Sequence, residues 1–297
     1  MSGDRKVTIV EVGPRDGLQN EKKIVSTENK LKLIRLLADA GLSRIEVTAF
    51  VSPRWVPQMA DHDAVMRRTP AREGLIRSVL VPNDKGAIAA IAAGADELAV
   101  FTSASETFAS RNINCTIAES LERFVPVISL ARSHGIPVRG YVSCAVDCPY
   151  EGEIAPDAVA MVSSQLMNLG CHEISVADTI GRGLPERVSL MLERVLDRVP
   201  APMVACHFHD TSGRARANVD AALDWGIATF DSSAGGLGGC PYAPGAAGNI
   251  GTGVINSHLI QRGYATGVDL DRLRFAEEFA LSLRCGPEAR GGLSDGA

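Results

Sequence analysis

The chain has 297 residues, 45% of them hydrophobic, and 30 basic against 35 acidic residues give it a net charge of −5. A sizeable core is within reach, no global basic field exists to gather nucleic acid, and no apolar run approaches the roughly 18 to 20 residues of a membrane span. Seven scattered cysteines, an odd number, argue against a disulfide framework and for a reducing cytoplasm.

Short β-branched runs alternate with longer helical patterns along the chain. Strands are expected at 7–12, 44–48, 76–81, 97–101, 138–142, 173–176, 203–208 and 228–231. Helices are expected between them. The first covers 27–40, with apolar Leu31, Ile34 and Leu37 on one face, Thr27 as N-cap and Gly41 past its end. Others open at Pro82-Asn83 and end near Gly94, or run over 116–134, 156–170, 185–199 and 215–226. Glycines 41, 94 and 135 each follow a helix and precede a strand, where a left-handed C-cap turns the chain quickly.

Repeated βα units demand a parallel sheet, and eight favour a closed (β/α)8 TIM barrel over an open doubly wound sheet. The chain 1–297 therefore reads as one α/β domain with its core at about 7–265. An additional C-terminal helix is expected within 266–285 and a Gly-rich, mobile tail at 286–297.

The sharpest local signal is Cys206-His207-Phe208-His209-Asp210 at the end of the seventh strand. Residues i and i+2 of a strand share a face, so His207 and His209 project together at the end where barrel enzymes keep their sites. Paired imidazoles with added oxygen ligands suit a divalent cation, Mg²⁺ or Mn²⁺. A pair of core or surface histidines is the plain alternative. Arg15 and Asp16 follow the first strand in a Gly-Pro turn, where a carboxylate completes a cation site and a guanidinium offsets developing charge. Alone, they read equally as a surface ion pair. Glu46 and Asp178 add carboxylates at two further strand ends. The stretch 231–250 carries six glycines between Gly235 and Gly248, fits no phosphate-loop pattern, and sets Cys240 as an exposed thiol between Gly239 and Pro241. Cys144 and Cys148 lack a second pair to complete a zinc site and read as core or loop thiols.

Several runs resemble the hydroxymethylglutaryl-CoA lyase family, which is allied to the isopropylmalate and homocitrate synthases. They are 12–22 (VGPRDGLQNEK), 46–59 (EVTAFVSPRWVPQM), 111–115 (RNINC), 140–152 (GYVSCAVDCPYEG), 178–181 (DTIG), 207–210 (HFHD) and 236–249. They appear in order across about 7–275, and Gly-Leu-Gly-Gly-Cys-Pro-Tyr-Ala is the most specific. The resemblance implies a metal held by Asp16, His207, His209 and Asn249. It implies Arg15 at the thioester enolate, Cys240 for turnover, and Glu46 and Asp178 shaping the site. Gln19, Asn112, Ser175 and Thr179 match positions near substrate, and Lys22 matches a partner for an anionic part of coenzyme A. The implied reaction is retro-Claisen cleavage of 3-hydroxy-3-methylglutaryl-CoA to acetyl-CoA and acetoacetate, in the line of leucine degradation, by a homodimer.

The sequence departs from that pattern at two places. Ala49 stands where the family often has serine. After Asn249, a Thr-Glu-Asp segment is replaced by Gly251-Thr252-Gly253-Val254. The loss of two carboxylates bears on loop anchoring and on the substrate's tail at C3, so a lyase for a related 3-hydroxyacyl-CoA stays open. A condensing acyltransferase of the same group also stays open, although those enzymes usually append further domains. A metal hydrolase would carry H-x-H on its first strand, not its seventh. A non-catalytic ligand-binding barrel would have no need of Cys240.

Overall fold

The computed structural model describes residues 5–238 and 248–284. Eight parallel strands close into a barrel. They are β1 Thr8–Glu11, β2 Arg44–Ala49, β3 Ile76–Leu80, β4 Glu97–Ser103, β5 Val138–Ser143, β6 Glu173–Asp178, β7 Val204–Phe208 and β8 Thr229–Ser232. Every expected strand is present, and β8 pairs with β1, Thr229 opposite Thr8, so the runner-up open sheet is excluded. The β2–β3 register shifts between Glu46 and Thr48. A bulge of this kind re-aims a side chain at a barrel rim.

The helices are α1 Thr27–Asp39, α2 His62–Arg68, α3 Asp84–Ala92, α4 Glu106–Ile113, α5 Ile117–Ser133, α6 Pro156–Leu169, α7 Pro185–Leu196, α8 Ala215–Asp224, α9 Thr252–Gln261 and α10 Leu270–Arg284. Local chemistry starts several of them. Ser26 caps α1 by accepting from Asn29 N, so Thr27 is its first helical residue and not its cap. Thr116 and Glu119 form a reciprocal capping box at α5. The extra helix appears as α10, packed against α1. The expected tail at 286–297 and Cys240 lie outside the described residues.

Sequence periodicity misses α2, α4 and α9. The first two are under nine residues long. The third, TGVINSHLIQ, combines Gly with β-branched residues of low helix propensity. It forms because Ile255 and Leu259 are buried in the common core. Two small ribbons also escape the pattern: Arg5–Lys6 with Tyr264–Ala265, and Asp147–Cys148 with Gly152–Glu153. Cys115, Cys144, Cys148, Cys171 and Cys206 are buried free thiols, as the reading of Cys144 and Cys148 required.

Candidate active site

The turn after β1 is a single π-helical turn, Gly13–Gly17, closed by Gly17 N donating to Val12 O at 3.1 Å. It is wider than the tight turn expected from Gly-Pro, and such turns recur at functional sites. It turns Arg15 and Asp16 toward the mouth of the barrel. Arg15 donates from Nε to Glu46 Oε2 at 2.6 Å and from Nη1 to Asp16 Oδ1 at 2.9 Å. The other Asp16 oxygen accepts from Asn249 Nδ2 at 2.8 Å.

Asp16, His207 and His209 bring their ligand atoms within 4.8 Å of one another. Asn249 reaches the same place because its strand-like segment bridges His209, with Ile250 N donating to Phe208 O at 3.0 Å. Its amide nitrogen is occupied by Asp16 and by Leu237 O. Its Oδ1 is buried without a hydrogen-bond partner, and so is His209 Nδ1. Leaving a buried polar atom unsatisfied costs about 1–3 kcal/mol. Two such atoms beside a carboxylate and a second imidazole fit a divalent cation with mixed oxygen and nitrogen ligands. Gly238 is needed beside them, since a Cβ there would stand 2.6 Å from Asn249 Nδ2.

The electrostatics agree. Burial works against charge on Asp16, yet Arg15 and then the two histidines hold its carboxyl below the usual range. Burial and the neighbouring His207 push His209 down to about 4, keeping it neutral and able to donate a lone pair. Burial opposes charge on His207 also, but its bond to Asp231 and that carboxylate's charge raise it.

Asp231, at the end of β8, is the main support beneath the ligands. Its Oδ2 stands 3.2 Å from His207 Nδ1 and accepts from Ser175 Oγ at 2.9 Å. Its Oδ1 accepts from Arg139 Nη2 at 2.7 Å. Burial would raise the Asp231 carboxyl, but Arg139 and His207 hold it far below the ordinary range. An ionised Asp231 accepts a hydrogen bond from the Nδ1–H of His207 and leaves Nε2 as the ligand nitrogen. Arg139 also donates to Glu173, which joins Arg44 and Glu97 at the other ends of the strands.

Above the ligands opens a cavity of about 1200 Å³, larger than most pockets for drug-sized ligands. Arg15, Asp16, His207 and His209 line its floor, with Tyr141 and Thr179 beside them. Lys22, Arg111 and Arg123 also line it, as does Trp55, which is 79% exposed. Three cations in its lining suit a ligand that carries phosphates.

A model of the HMGL-like family matches residues 6–280. The chain belongs to that family. It is 56% identical over 273 residues to the cytoplasmic 3-hydroxy-3-methylglutaryl-CoA lyase of Mus musculus, covering 92% of this chain and 80% of the mouse protein. Its structure superposes on the HMG-CoA lyase of Brucella melitensis with a TM-score of 0.93 and 56% identity, covering 94% and 99% of the two chains. It also superposes on an HMG-CoA lyase from Acinetobacter baumannii in complex with coenzyme A and 3-methylmalate, with a TM-score of 0.89 and 36% identity over 97% and 95%.

Within this family framework the expected site residues other than Cys240, which lies outside the described residues, fall into three groups. Arg15, Asp16, Gln19, Lys22, Asn112, Thr179, His207 and His209 line the cavity. Asn249 and Glu46 stand directly behind it, bonded to Asp16 and Arg15. Ser175 and Asp178 stand deeper, and neither lines the cavity. Ser175 is fully buried beneath His207, where it holds Asp231. Asp178 accepts from Arg182 N and Gly183 N, which fixes the turn after β6. Burial raises its carboxyl to about 6 in spite of those donors.

The two departures are likewise away from the cavity. Ala49 is fully buried in the core, and Gly251 bridges Ser233 just past β8. Neither departure is among the described residues that line the cavity. Sequence reasoning missed Asp231, Arg139 and Glu11. Asp231 left one signal, an acidic residue at the end of a strand neighbouring the H-x-H strand.

Glu11 ends β1 with a fully buried carboxyl. It accepts from Gly13 N at 2.7 Å, Ala234 N at 2.9 Å and Thr252 Oγ1 at 2.6 Å. Burial raises it from 4.5 to about 7 against those donors. The folded chain therefore binds this proton more tightly than the unfolded chain does. The stability it contributes is complete below pH 4.5 and is lost as pH rises through 7. The loss amounts to about 3 kcal/mol for a shift of this size. Urea unfolding at pH 5 and pH 8 should show it, and Glu11→Gln should flatten most of the difference. An equal slope in both proteins would rule Glu11 out as its source.

Proposed function

We propose that this chain is a metal-dependent carbon–carbon lyase that cleaves 3-hydroxy-3-methylglutaryl-CoA to acetyl-CoA and acetoacetate. The observation that carries the reading is the convergence of Asp16, His207, His209 and the unpartnered Asn249 Oδ1 beside Arg15, in a cavity that Lys22, Arg111 and Arg123 also line. The names of the relatives above support the substrate. That neither departure is among the described lining residues favours it over a related 3-hydroxyacyl-CoA.

Asp16, His207, His209 and Asn249 would hold the cation, Mg²⁺ or Mn²⁺. When bound, it supplies Lewis acidity that lowers the pKa of the substrate's 3-hydroxyl. Cleavage removes the hydroxyl proton, breaks C2–C3, makes C3 the ketone of acetoacetate, and leaves the electron pair on C2 as the enolate of acetyl-CoA. Arg15 is our candidate for offsetting that enolate's charge. Glu46 holds the Arg15 fork, and Asp178 holds the neighbouring turn. Cys240 is our candidate for returning a proton to C2. Gln19, Asn112 and Thr179 are candidates for orienting the acyl part, and Lys22 for a phosphate of coenzyme A. Ser175 acts through Asp231. A homodimer rests on family analogy alone. A cytoplasmic location rests on the free buried thiols, while the relatives' names include both cytoplasmic and mitochondrial forms.

Metal removal is the direct test. Protein stripped by a chelator should release no acetyl-CoA from the ester, and Mg²⁺ or Mn²⁺ should restore it. Full activity in excess chelator would sink the metal reading. Restored metal binding without cleavage of this or any related ester would sink the lyase reading.

A further inference from the structure

Glu277 lies on α10, outside the eightfold repeat, yet it reaches the loop that carries a metal ligand. Its Oε1 accepts from Gly235 N at 3.0 Å and from Gly253 N at 2.9 Å. One amide precedes residues 239–247 and the other follows them, so a single carboxylate oxygen ties the two sides of the loop's stem. Glu11 ties the adjacent pair, Ala234 and Thr252, from the end of β1. The stem continues through Ser233 N donating to Ile250 O at 3.1 Å, one residue from Asn249.

The space at position 253 is already taken. A Cβ on Gly253 would stand 2.5 Å from Glu277 Oε2 and 3.1 Å from its Cδ. With Thr252 in register, Gly253 stands where the resembling family's Thr-Glu-Asp segment has glutamate. We propose that Glu277 is a positioning residue for Asn249, supplying from α10 an acceptor side chain in place of the one this chain has lost at position 253. The role rests on the metal-dependent reading of the site. It predicts that a carboxylate can stand at 253 or at 277, but not at both.

The test compares full-length Glu277→Ala, Glu277→Gln, Gly253→Glu and the double variant Gly253→Glu/Glu277→Ala. Manganese binding by calorimetry, kcat and KM with the CoA ester, and thermal unfolding are read for each. Glu277→Ala should weaken Mn²⁺ binding and lower kcat by about tenfold, as loss of support behind a metal ligand does, with KM nearly unchanged. Glu277→Gln keeps the acceptor oxygen and should match the parent chain. Gly253→Glu alone should be impaired, and the double variant should recover to within about threefold of the parent, a departure from additivity that marks direct coupling. Glu277→Asp, one methylene short of both amides, serves if the alanine variant does not fold, and should lose part of the Mn²⁺ affinity. Unchanged Mn²⁺ affinity and kcat in Glu277→Ala would overturn the proposal, whatever happens to the melting temperature. So would a double variant as poor as the two single losses multiplied. If the parent chain binds Mn²⁺ but cleaves no ester, the lyase reading fails while the Mn²⁺ titrations still decide the role of Glu277.

Discussion

Replacing Arg15 by Gln is expected to lower kcat by about 10²–10³-fold, the usual cost of removing a donor aimed at developing negative charge. The size follows from what the guanidinium faces. Glu46 and Asp16 take its Nε and Nη1, fix its plane and hold it charged at the floor of the cavity. Charge on C2 of the thioester exists only once the C–C bond is breaking. An interaction made only then appears in kcat and in kcat/KM alike, with KM little moved. A second effect must be separated from the first. Without Arg15, Asp16 loses its nearest cation and becomes a more available ligand. Metal affinity should therefore stay level or rise while turnover falls. Calorimetry with Mn²⁺ alongside steady-state assays reads both quantities. Metal affinity falling in parallel with kcat would assign Arg15 to the metal site and remove it from the enolate.

Asp231→Asn is expected to weaken metal binding by about 10–100-fold and to destabilise the fold by about 3 kcal/mol. One carboxylate here serves three donors: His207, Ser175 and Arg139. An amide offers one acceptor oxygen and sets an N–H₂ against one of those donors. His207 then loses the partner that fixes its tautomer. Arg139, fully buried, keeps Glu173 alone as a charged partner, so the loss falls at the low end for a broken buried pair. Ser175→Ala removes one bond to the same carboxylate and leaves the charges paired. Its effect on metal affinity should be in the same direction and smaller. An Asp231→Asn protein with a lowered melting temperature and unaltered metal affinity would make Asp231 a fold residue only.

The architecture was written in local pattern. Eight β-branched runs with glycine-closed helices between them are consequences of near-neighbour chemistry, and each run became a barrel strand. The elements that escaped notice had no such local cause. Helix α9 exists because Ile255 and Leu259 find a core to enter, and the π-helical turn at Gly13–Gly17 exists because Arg15 and Asp16 have partners to meet.

The same division runs through the metal site from which the functional reading began. His207 and His209 are two residues apart on a strand, and the period of the pleat alone puts them on one face. Their number, type and position at the end of the seventh strand were determined by sequence. Their partners were not. Asp16 and Asn249 meet across 233 residues, and His207 and Asp231 across 24. Those pairings are set by closure of the barrel, which brings β7, β8 and β1 side by side. The Gly253 departure looked from sequence like a charge lost beside a metal ligand. The fold returns an acceptor oxygen from Glu277 of α10, because packing α10 against the turn at Ala234–Gly236 brings a distant side chain to the amide of Gly253.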